Sequence, residues 1–416
     1  MKFKIVTLGC RTNQYESQAY CDQMLAAGYA LAQDSEVADI CLVNTCTVTH
    51  GADVKSRNMV RRLARENPGA LLIVTGCSAE AFADFEGVTT IVPNKDKENL
   101  LKIIFPEETF PEFSIRGFEG HTRAFIKIQD GCNSFCSYCI IPYVRGRSRS
   151  RSMDAVVKEV QGLVANGYKE FVITGINVGD YDGGPEKCSL ANLIATIDDI
   201  PGVGRIRVSS IGPDDVDDAL VDVILGGRHT CPSMHLVLQS GSNAILKKMN
   251  RKYTRQMFLD VVERFSCRYS DFTFTTDVIL GFPGESNKDF QETLDIIRQV
   301  QFAKVHQFPY SVRPGTRAAR WSERVPEHVI RHRKEELLEV AQRAAKNLRQ
   351  RYVGKRMAVL TEDVDPKRPH GISGHTDNFL EVWIQNDSVK PNEFVTVECS
   401  ANTSEGLECV LKSLNG

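Results

Sequence analysis

Three cysteines in the run Gly131-Cys132-Asn133-Ser134-Phe135-Cys136-Ser137-Tyr138-Cys139 stand at i, i+4 and i+7, directly after a predicted strand. A short loop can turn all three inward around one metal group. A structural zinc site wants a fourth ligand, normally from a second close pair, and no such pair lies nearby. Three thiolates instead leave one iron of a four-iron cubane without a protein ligand, and a bidentate small molecule can take that open corner. The chain has 13 cysteines in 416 residues. An odd number in a chain of this length argues against a disulfide scaffold and for metal or cluster ligation by some of them.

Cys10, Cys46 and Cys77 are far apart in sequence, yet each ends an apolar run: Ile5-Val6-Thr7-Leu8-Gly9-Cys10, Cys41-Leu42-Val43-Asn44-Thr45-Cys46 and Leu71-Leu72-Ile73-Val74-Thr75-Gly76-Cys77. Residues 4–116 alternate predicted strands (Lys4–Leu8, Ile40–Val43, Ala70–Thr75, Thr89–Val92) with helical stretches such as Gln14–Ala27 and Asp53–Glu66. That pattern is a parallel α/β layer. Ligand sites in such layers lie beyond the carboxyl ends of the strands, so periodicity alone can bring three thiols to one edge. Three buried cysteines acting as small hydrophobes would be the plainer use of the same residues.

After a turn-rich stretch, 106–123, read as a linker, the alternation resumes. Strands are expected at Phe125–Gln129, Glu170–Thr174, Arg205–Ser209, His235–Leu238, Thr273–Leu280 and Ala303–Phe308. Six strand–helix units fit a full or open barrel better than a doubly wound sheet. A basic helix, Glu327–Arg351, follows, and then short predicted strands at Met357–Leu360, Leu380–Ile384, Phe394–Cys399 and Glu408–Leu414 that suit a small all-β module. The formal net charge is −2, so any nucleic-acid surface must be local. Segment 313–356 holds thirteen Lys/Arg against five Asp/Glu, and Arg145, Arg147, Arg149 and Arg151 alternate after the cysteine loop. No apolar run approaches the length of a membrane helix, and no signal-peptide core follows Met1, so a cytoplasmic protein without a membrane partner is expected.

The spacing Cys132/Cys136/Cys139, with Tyr138 before the third cysteine, resembles the signature of the radical S-adenosylmethionine superfamily. Thr7-Leu8-Gly9-Cys10-Arg11-Thr12-Asn13-Gln14, Asn44-Thr45-Cys46 and Thr75-Gly76-Cys77 resemble the amino-terminal domain of its methylthiotransferase family. Blocks at Ile173–Asp180, Val237–Ser242, Met249–Tyr253 and Thr276–Glu285 stand in register with these, and the resemblance covers nearly the whole chain.

The resemblance implies three domains: a parallel α/β domain at 1–116, an open (β/α)6-type radical S-adenosylmethionine barrel with its following helix at 117–350, and a small TRAM-like all-β RNA-binding domain at 351–416. It implies two [4Fe-4S] clusters, ligated by Cys132, Cys136 and Cys139 and by Cys10, Cys46 and Cys77, with all six counted as catalytic. S-adenosylmethionine is expected against Tyr138, Gly175, Asn177, Ser209, Gln239 and Arg251. Substrate contacts are expected from Asn13, Arg147, Arg149, Tyr310 and Arg313. The other seven cysteines (Cys21, Cys41, Cys188, Cys231, Cys267, Cys399 and Cys409) are expected to bind no iron.

Family members divide into transfer-RNA enzymes and one that modifies a ribosomal-protein aspartate. Arg313 in Pro309–Thr316 resembles the transfer-RNA form. Thr7–Gln14, Ser209-Ser210-Ile211 and His306–Tyr310 are most similar to the branch acting on N6-threonylcarbamoyladenosine at position 37. The alternatives are the N6-isopentenyladenosine branch, the ribosomal-protein branch, and a non-catalytic iron–sulfur RNA-binding regulator. Implied partners are the transfer-RNA anticodon stem-loop, a reductase or flavodoxin-like electron donor, and a sulfur source. The chain departs from the family pattern at Gly212, where Glu is usual, at Arg11-Thr12, where Lys-Val is common, and at Asn243, where Asp is common.

Overall fold

Residues 72–76 are buried without a break, as a strand covered by helices on both faces must be. In the computed structural model, which describes residues 1–412 except 119, 365–367, 369 and 387, this run belongs to a parallel sheet. The first body runs β1 (Lys2–Thr7), α1 (Arg11–Ala26), β2 (Ala30–Leu31), β3 (Ile40–Thr45), α2 (His50–Glu66), β4 (Leu71–Gly76), β5 (Thr90–Ile91) and α3 (Leu100–Ile104). Its strand order is β2-β1-β3-β4-β5. Alternation sorts the strands' side chains into two cores: Ile40 and Leu42 pack with Phe3, Tyr20 and Met24, while Cys41 and Val43 pack with Val60, Leu63 and Phe82.

The second body runs β6 (Arg123–Lys127), β7 (Gln129–Asp130), α4 (Ile141–Val144), β8 (Arg149–Ser150), α5 (Met153–Ala165), β9 (Glu170–Thr174), α6 (Leu190–Asp198) and β10 (Arg205–Ile211). It continues through α7 (Asp218–Gly226), β11 (Thr230–Leu236), α8 (Asn243–Lys248), α9 (Arg255–Ser266), β12 (Thr273–Leu280), α10 (Asn287–Val300) and β13 (Lys304–Pro309). Six of these strands pair in parallel, in the order β13-β12-β11-β10-β9-β6, as an open (β/α)6 barrel. Ile206 and Val208 pack outward into the helical core. Arg205 and Arg207, on the opposite face of β10, look into the lumen and toward its lower end.

A long helix, α11 (Glu327–Gln350), leads to β14 (Arg356–Thr361), β15 (Ile372–Thr376), β16 (Glu381–Ile384), β17 (Phe394–Asn402) and β18 (Leu407–Leu411). These five strands close into a small barrel in the order β14-β15-β16-β18-β17. Leu337, Ala341 and Ala344 of α11 join the large barrel's core, and Leu348 joins the small one, so the helix splices the two. No helix among the described residues is long and apolar enough to cross a membrane.

Three sequence expectations need correction. The stretch 106–123 is no free linker: Phe110 is buried in the first body's core, and Ile115 and Phe118 in the barrel's. Helix α1 starts three residues earlier than expected and is buried on nearly every side, because it lies between the two bodies. Tyr15 and Ala19 pack into the barrel's core, while Tyr20 and Met24 pack into the first body's. Strand β15 was missed because Ser373, Gly374 and His375 give it little apolar character. Gly374 is needed there, since a Cβ would lie 2.5 Å from the Leu360 carbonyl oxygen of the neighbouring strand. Leu414, the expected end of the last strand, lies outside the described residues.

Candidate active site between two cysteine triads

Strand register places the first three cysteines. Thr7 pairs with Asn44, and Asn44 with Thr75, so Cys10, Cys46 and Cys77 leave adjacent strands at one level. Two glycines let their turns close. Gly76 has φ +94, and a Cβ on it would sit 2.4 Å from the Thr45 carbonyl oxygen. Gly9 has φ +102, and a Cβ would meet Cys46 Sγ at 2.8 Å. Asn13 stitches the turns together, donating to the carbonyls of Leu8 (2.7 Å) and Thr45 (2.9 Å). It is fully buried and its Oδ1 accepts from Arg145, so it positions ligands and does not reach a substrate.

The second triad follows β6 and β7. Gly131 (φ +73) lets the loop pass so close to Arg147 that a Cβ would be 2.1 Å from its carbonyl oxygen. Ser137 anchors the far side through its N–H to the Met249 carbonyl (2.9 Å) and its hydroxyl to the Lys248 carbonyl (2.8 Å). The Ser134 N–H donates to Cys132 Sγ at 3.4 Å, and Arg251 Nη1 donates to Cys136 Sγ at 3.1 Å.

A buried ionic network ties the triads together, and sequence reading missed most of it. Arg145, six residues after Cys139, donates from Nε to Cys77 Sγ at 3.1 Å. Its Nη1 donates to Glu16 (3.0 Å) and Asp130 (2.9 Å). Lys97 lies 2.6 Å from Glu16 and 2.5 Å from Asp130, and Lys127 lies 3.2 Å and 2.9 Å from the same carboxylates. The neighbouring cations hold both carboxyls well below their ordinary range, against the opposing effect of burial. The signal was present: Lys127 interrupts the apolar strand Phe125–Gln129, and an unmatched buried lysine demands a carboxylate.

Three buried cations here face two fully buried carboxylates and the half-exposed Glu98, 3.2 Å from Lys127, and the guanidinium of Arg145 suits an anionic thiolate-bound group beside Cys77. Burial pushes the thiols of Cys46 and Cys139 up to about 11 and about 12, and raises those of Cys77 and Cys132. Metal binding at either triad must therefore displace protons. Among the described residues, no three Cys, His, Asp or Glu side chains close around a single-ion position. Three thiolates with no fourth protein ligand suit an iron–sulfur cluster that keeps one corner open.

The expected S-adenosylmethionine residues line the barrel mouth. Gly175 lies against Gln129, whose Oε1 accepts from the N–H groups of Ile176 and Asn177 at 3.0 Å each. Ser209 is buried near the end of β10. Gln239 holds a left-handed backbone (φ 61), and its amide oxygen is buried without a partner, as is Arg251 Nε. Tyr138 packs edge-on to Phe282. Gly212 lacks the expected carboxylate, but a Cβ there would meet Asp214 Oδ1 at 2.7 Å and Asp215 Oδ2 at 3.1 Å, so two neighbouring carboxylates occupy that space. Burial and the charges of Asp214 and Asp180 push Asp215 up to about 6.

The substrate-side residues divide. Arg147 is exposed and stacks over Phe135 (4.4 Å), and Arg149 is half-exposed. Tyr310 has a buried hydroxyl without a partner. Arg313 is buried in a 2.6 Å ion pair with Asp53 and donates to the Thr47 carbonyl at 2.8 Å. It fastens the segment after β13 to the first body and also lines a cavity of about 280 Å³ beside Cys77. Arginines already stack on the terminal module's Phe379 and Phe394, although Phe394 stays 41% exposed. Arg207 and Arg123 lie over Phe379 (5.0 and 5.6 Å), and Arg205 lies over Phe394 (4.9 Å).

Comparison with known proteins follows the same division of the chain. Residues 126–297 match the Radical SAM superfamily, and residues 2–93 match the family described as "Uncharacterized protein family UPF0004". The chain is 51% identical over 97% of its length to the threonylcarbamoyladenosine tRNA methylthiotransferase MtaB of Chlamydia pneumoniae, covering 97% of that protein. It is 37% identical to the Bacillus subtilis protein of the same name, over 90% of this chain and 88% of that one. It is 35% identical to the tRNA-2-methylthio-N(6)-dimethylallyladenosine synthase of Pelotomaculum thermopropionicum, over 87% and 86%. Among solved structures, the radical S-adenosylmethionine methyltransferase TsrM of Kitasatospora setae matches with a TM-score of 0.57 at 15% identity, over 76% of this chain and 77% of that one, a likeness of fold.

Proposed function

The chain belongs to the methylthiotransferase family of radical S-adenosylmethionine enzymes, and from that premise we propose that it methylthiolates N6-threonylcarbamoyladenosine at position 37 of transfer RNA. Its cofactors are S-adenosylmethionine and [4Fe-4S] clusters. The observation that carries the reading is the pair of cysteine triads, held on two different bodies and joined through Arg145. When bound, the cofactors supply the methyl group, the sulfur and the radical chemistry that replaces the hydrogen at adenine C2.

The protein's own residues supply position and charge. Cys132, Cys136 and Cys139 hold one cluster with one corner open, and Cys10, Cys46 and Cys77 hold the other. Tyr138, Gly175, Asn177, Ser209, Gln239 and Arg251 would hold S-adenosylmethionine at the barrel mouth, where the Gln239 oxygen and Arg251 Nε have no partner in the protein. Arg145 neutralises the thiolate of Cys77, and Asn13 and Arg313 keep the two bodies in register. Arg147, Arg149 and Tyr310 face the anticodon stem-loop, where phosphate contacts set the register of the RNA. The target base must leave its stack, which costs little in a single-stranded loop. The work is divided among residues 1–116, 117–350 and 351–416. It takes place in the cytoplasm and draws electrons from a reductase or flavodoxin-like protein and sulfur from a separate donor.

The isopentenyladenosine branch is the competing reading, favoured by the 35% identity to the dimethylallyladenosine enzyme. Deletion of the gene followed by mass spectrometry of digested transfer RNA separates the two. Loss of 2-methylthio-N6-threonylcarbamoyladenosine, with its unthiolated precursor accumulating, supports the proposal. Loss of the isopentenyl counterpart instead refutes the branch and keeps the chemistry.

A further inference from the structure

Below the cysteine triads the barrel lumen is lined by charged as well as apolar side chains. A cavity of about 110 Å³ is lined by Arg11, Arg123 and Arg207, by His235 and His306, and by the ring of Phe125. Its floor is Phe379 of the terminal module. This module shuts the lower end of the barrel, because Arg205 and Arg207 donate to the carbonyls of Ala358, His375, Thr376 and Asp377 at 2.8 to 3.0 Å.

The three guanidinium groups are not equivalent. Arg207 is saturated, with Glu170 Oε1 at 2.7 Å, Ser233 and two carbonyls. Arg123 is paired with Glu362 at 3.2 Å. Arg11 has only a ring: its guanidinium lies 5.5 Å over Phe125, and no carboxylate, carbonyl or hydroxyl accepts from it among the described residues. It stands next to Cys10, at the start of α1, so it reaches from the rim of one cluster site into the lumen. Asp277 acts on it through space and lies 3.4 Å from His235 Nε2. A solvent-accessible five-donor cation over an apolar ring, holding no hydrogen bond to the protein among the described residues, is a receptor for a planar anion.

The geometry points to Arg11 as the residue that receives the free carboxylate of the substrate's N6-threonylcarbamoyl substituent inside the barrel, with the base held above it at the triads. This rests on the branch assigned under Proposed function. It adds the physical basis of the choice, because an isopentenyl group offers Arg11 nothing and would have to displace water from a cationic wall.

The test uses the cluster-loaded enzyme and three anticodon stem-loops that differ only at N6: threonylcarbamoyl, the same group with its carboxylate converted to a methylamide, and isopentenyl. The wild type is expected to favour the carboxylate RNA over its amide by about 10- to 100-fold in kcat/KM, the worth of one charge-assisted hydrogen-bonded contact. Arg11→Gln is expected to bring the carboxylate RNA down to the level of the amide, mainly through KM, and Arg11→Lys to keep part of the preference. Iron content and circular dichroism identify any variant that has lost a cluster or its fold, and the ratio between two RNAs on one preparation is insensitive to both. If Arg11→Gln keeps the wild-type ratio, this assignment falls while the branch stands. If the wild type converts the isopentenyl RNA and not the threonylcarbamoyl RNA, the branch falls, and the ligand proposed for this cavity falls with it.

Discussion

Removing one charge from the junction between the two bodies should destabilise the protein by an amount that depends on which sign is removed. Among the described residues, Glu16 and Asp130 are the fully buried carboxylates that face Lys97, Lys127 and Arg145. Arg145→Met leaves two lysines facing two carboxylates, a balanced set that has lost the hydrogen bonds of one guanidinium and the counter-charge of Cys77. Its cost should lie at the low end of the range for a broken buried pair, about 3 kcal/mol. Glu16→Gln leaves three cations sharing one buried carboxylate, and Glu98, 54% exposed, is too solvated to replace the lost charge. That change should reach about 5 kcal/mol. Urea unfolding of the cluster-free protein, followed by circular dichroism, reads the order of the two. The pH dependence follows from the lowered carboxyl pKa values. The wild type keeps this stabilisation in full above the ordinary Glu value of 4.5 and loses it as pH falls below the carboxylate range, whereas Glu16→Gln lacks it at every pH. If Glu16→Gln proves milder than Arg145→Met, or if either costs under about 1 kcal/mol, the charge census is wrong as an account of this junction.

Asp215→Asn should raise stability at pH 8 by about 1–2 kcal/mol and flatten its decline between pH 4 and 6. A carboxyl pushed up to about 6 favours its protonated form in the fold, so the native state loses stability as pH rises through that window; a pH series of urea midpoints checks it. Gly76→Ala should strip one of two clusters, halving iron per chain, because a Cβ at φ +94 would strike the Thr45 backbone at 2.4 Å and displace the Cys77 turn; iron and sulfide analysis decides. Phe379→Ala should loosen the terminal module by about 3 kcal/mol, read as faster hydrogen exchange in β14–β18 with the large barrel's helices unchanged.

Some of this molecule is fixed by local sequence alone. The apolar runs before Cys10, Cys46 and Cys77 make parallel strands whose ends must lie together, since register in a parallel sheet follows burial and the turn glycines permit only one close approach. The spacing of Cys132, Cys136 and Cys139 needs nothing beyond its own loop. The partners of charge were not legible in the same way. Arg145 reads in sequence as one of four alternating arginines suited to phosphate, and only the docking of the two bodies shows it buried among Glu16, Asp130 and Cys77, while Arg147 stays in solvent. Arg313 likewise carried the mark of a substrate branch and proved to be a fastener onto Asp53. Local pattern decides which face of a strand or helix is apolar, because that depends on neighbours two to four residues away. Where a buried charge finds its counter-charge can depend on residues more than a hundred positions distant, as for Arg145 with Glu16 and Arg313 with Asp53, and this the tertiary structure alone decided.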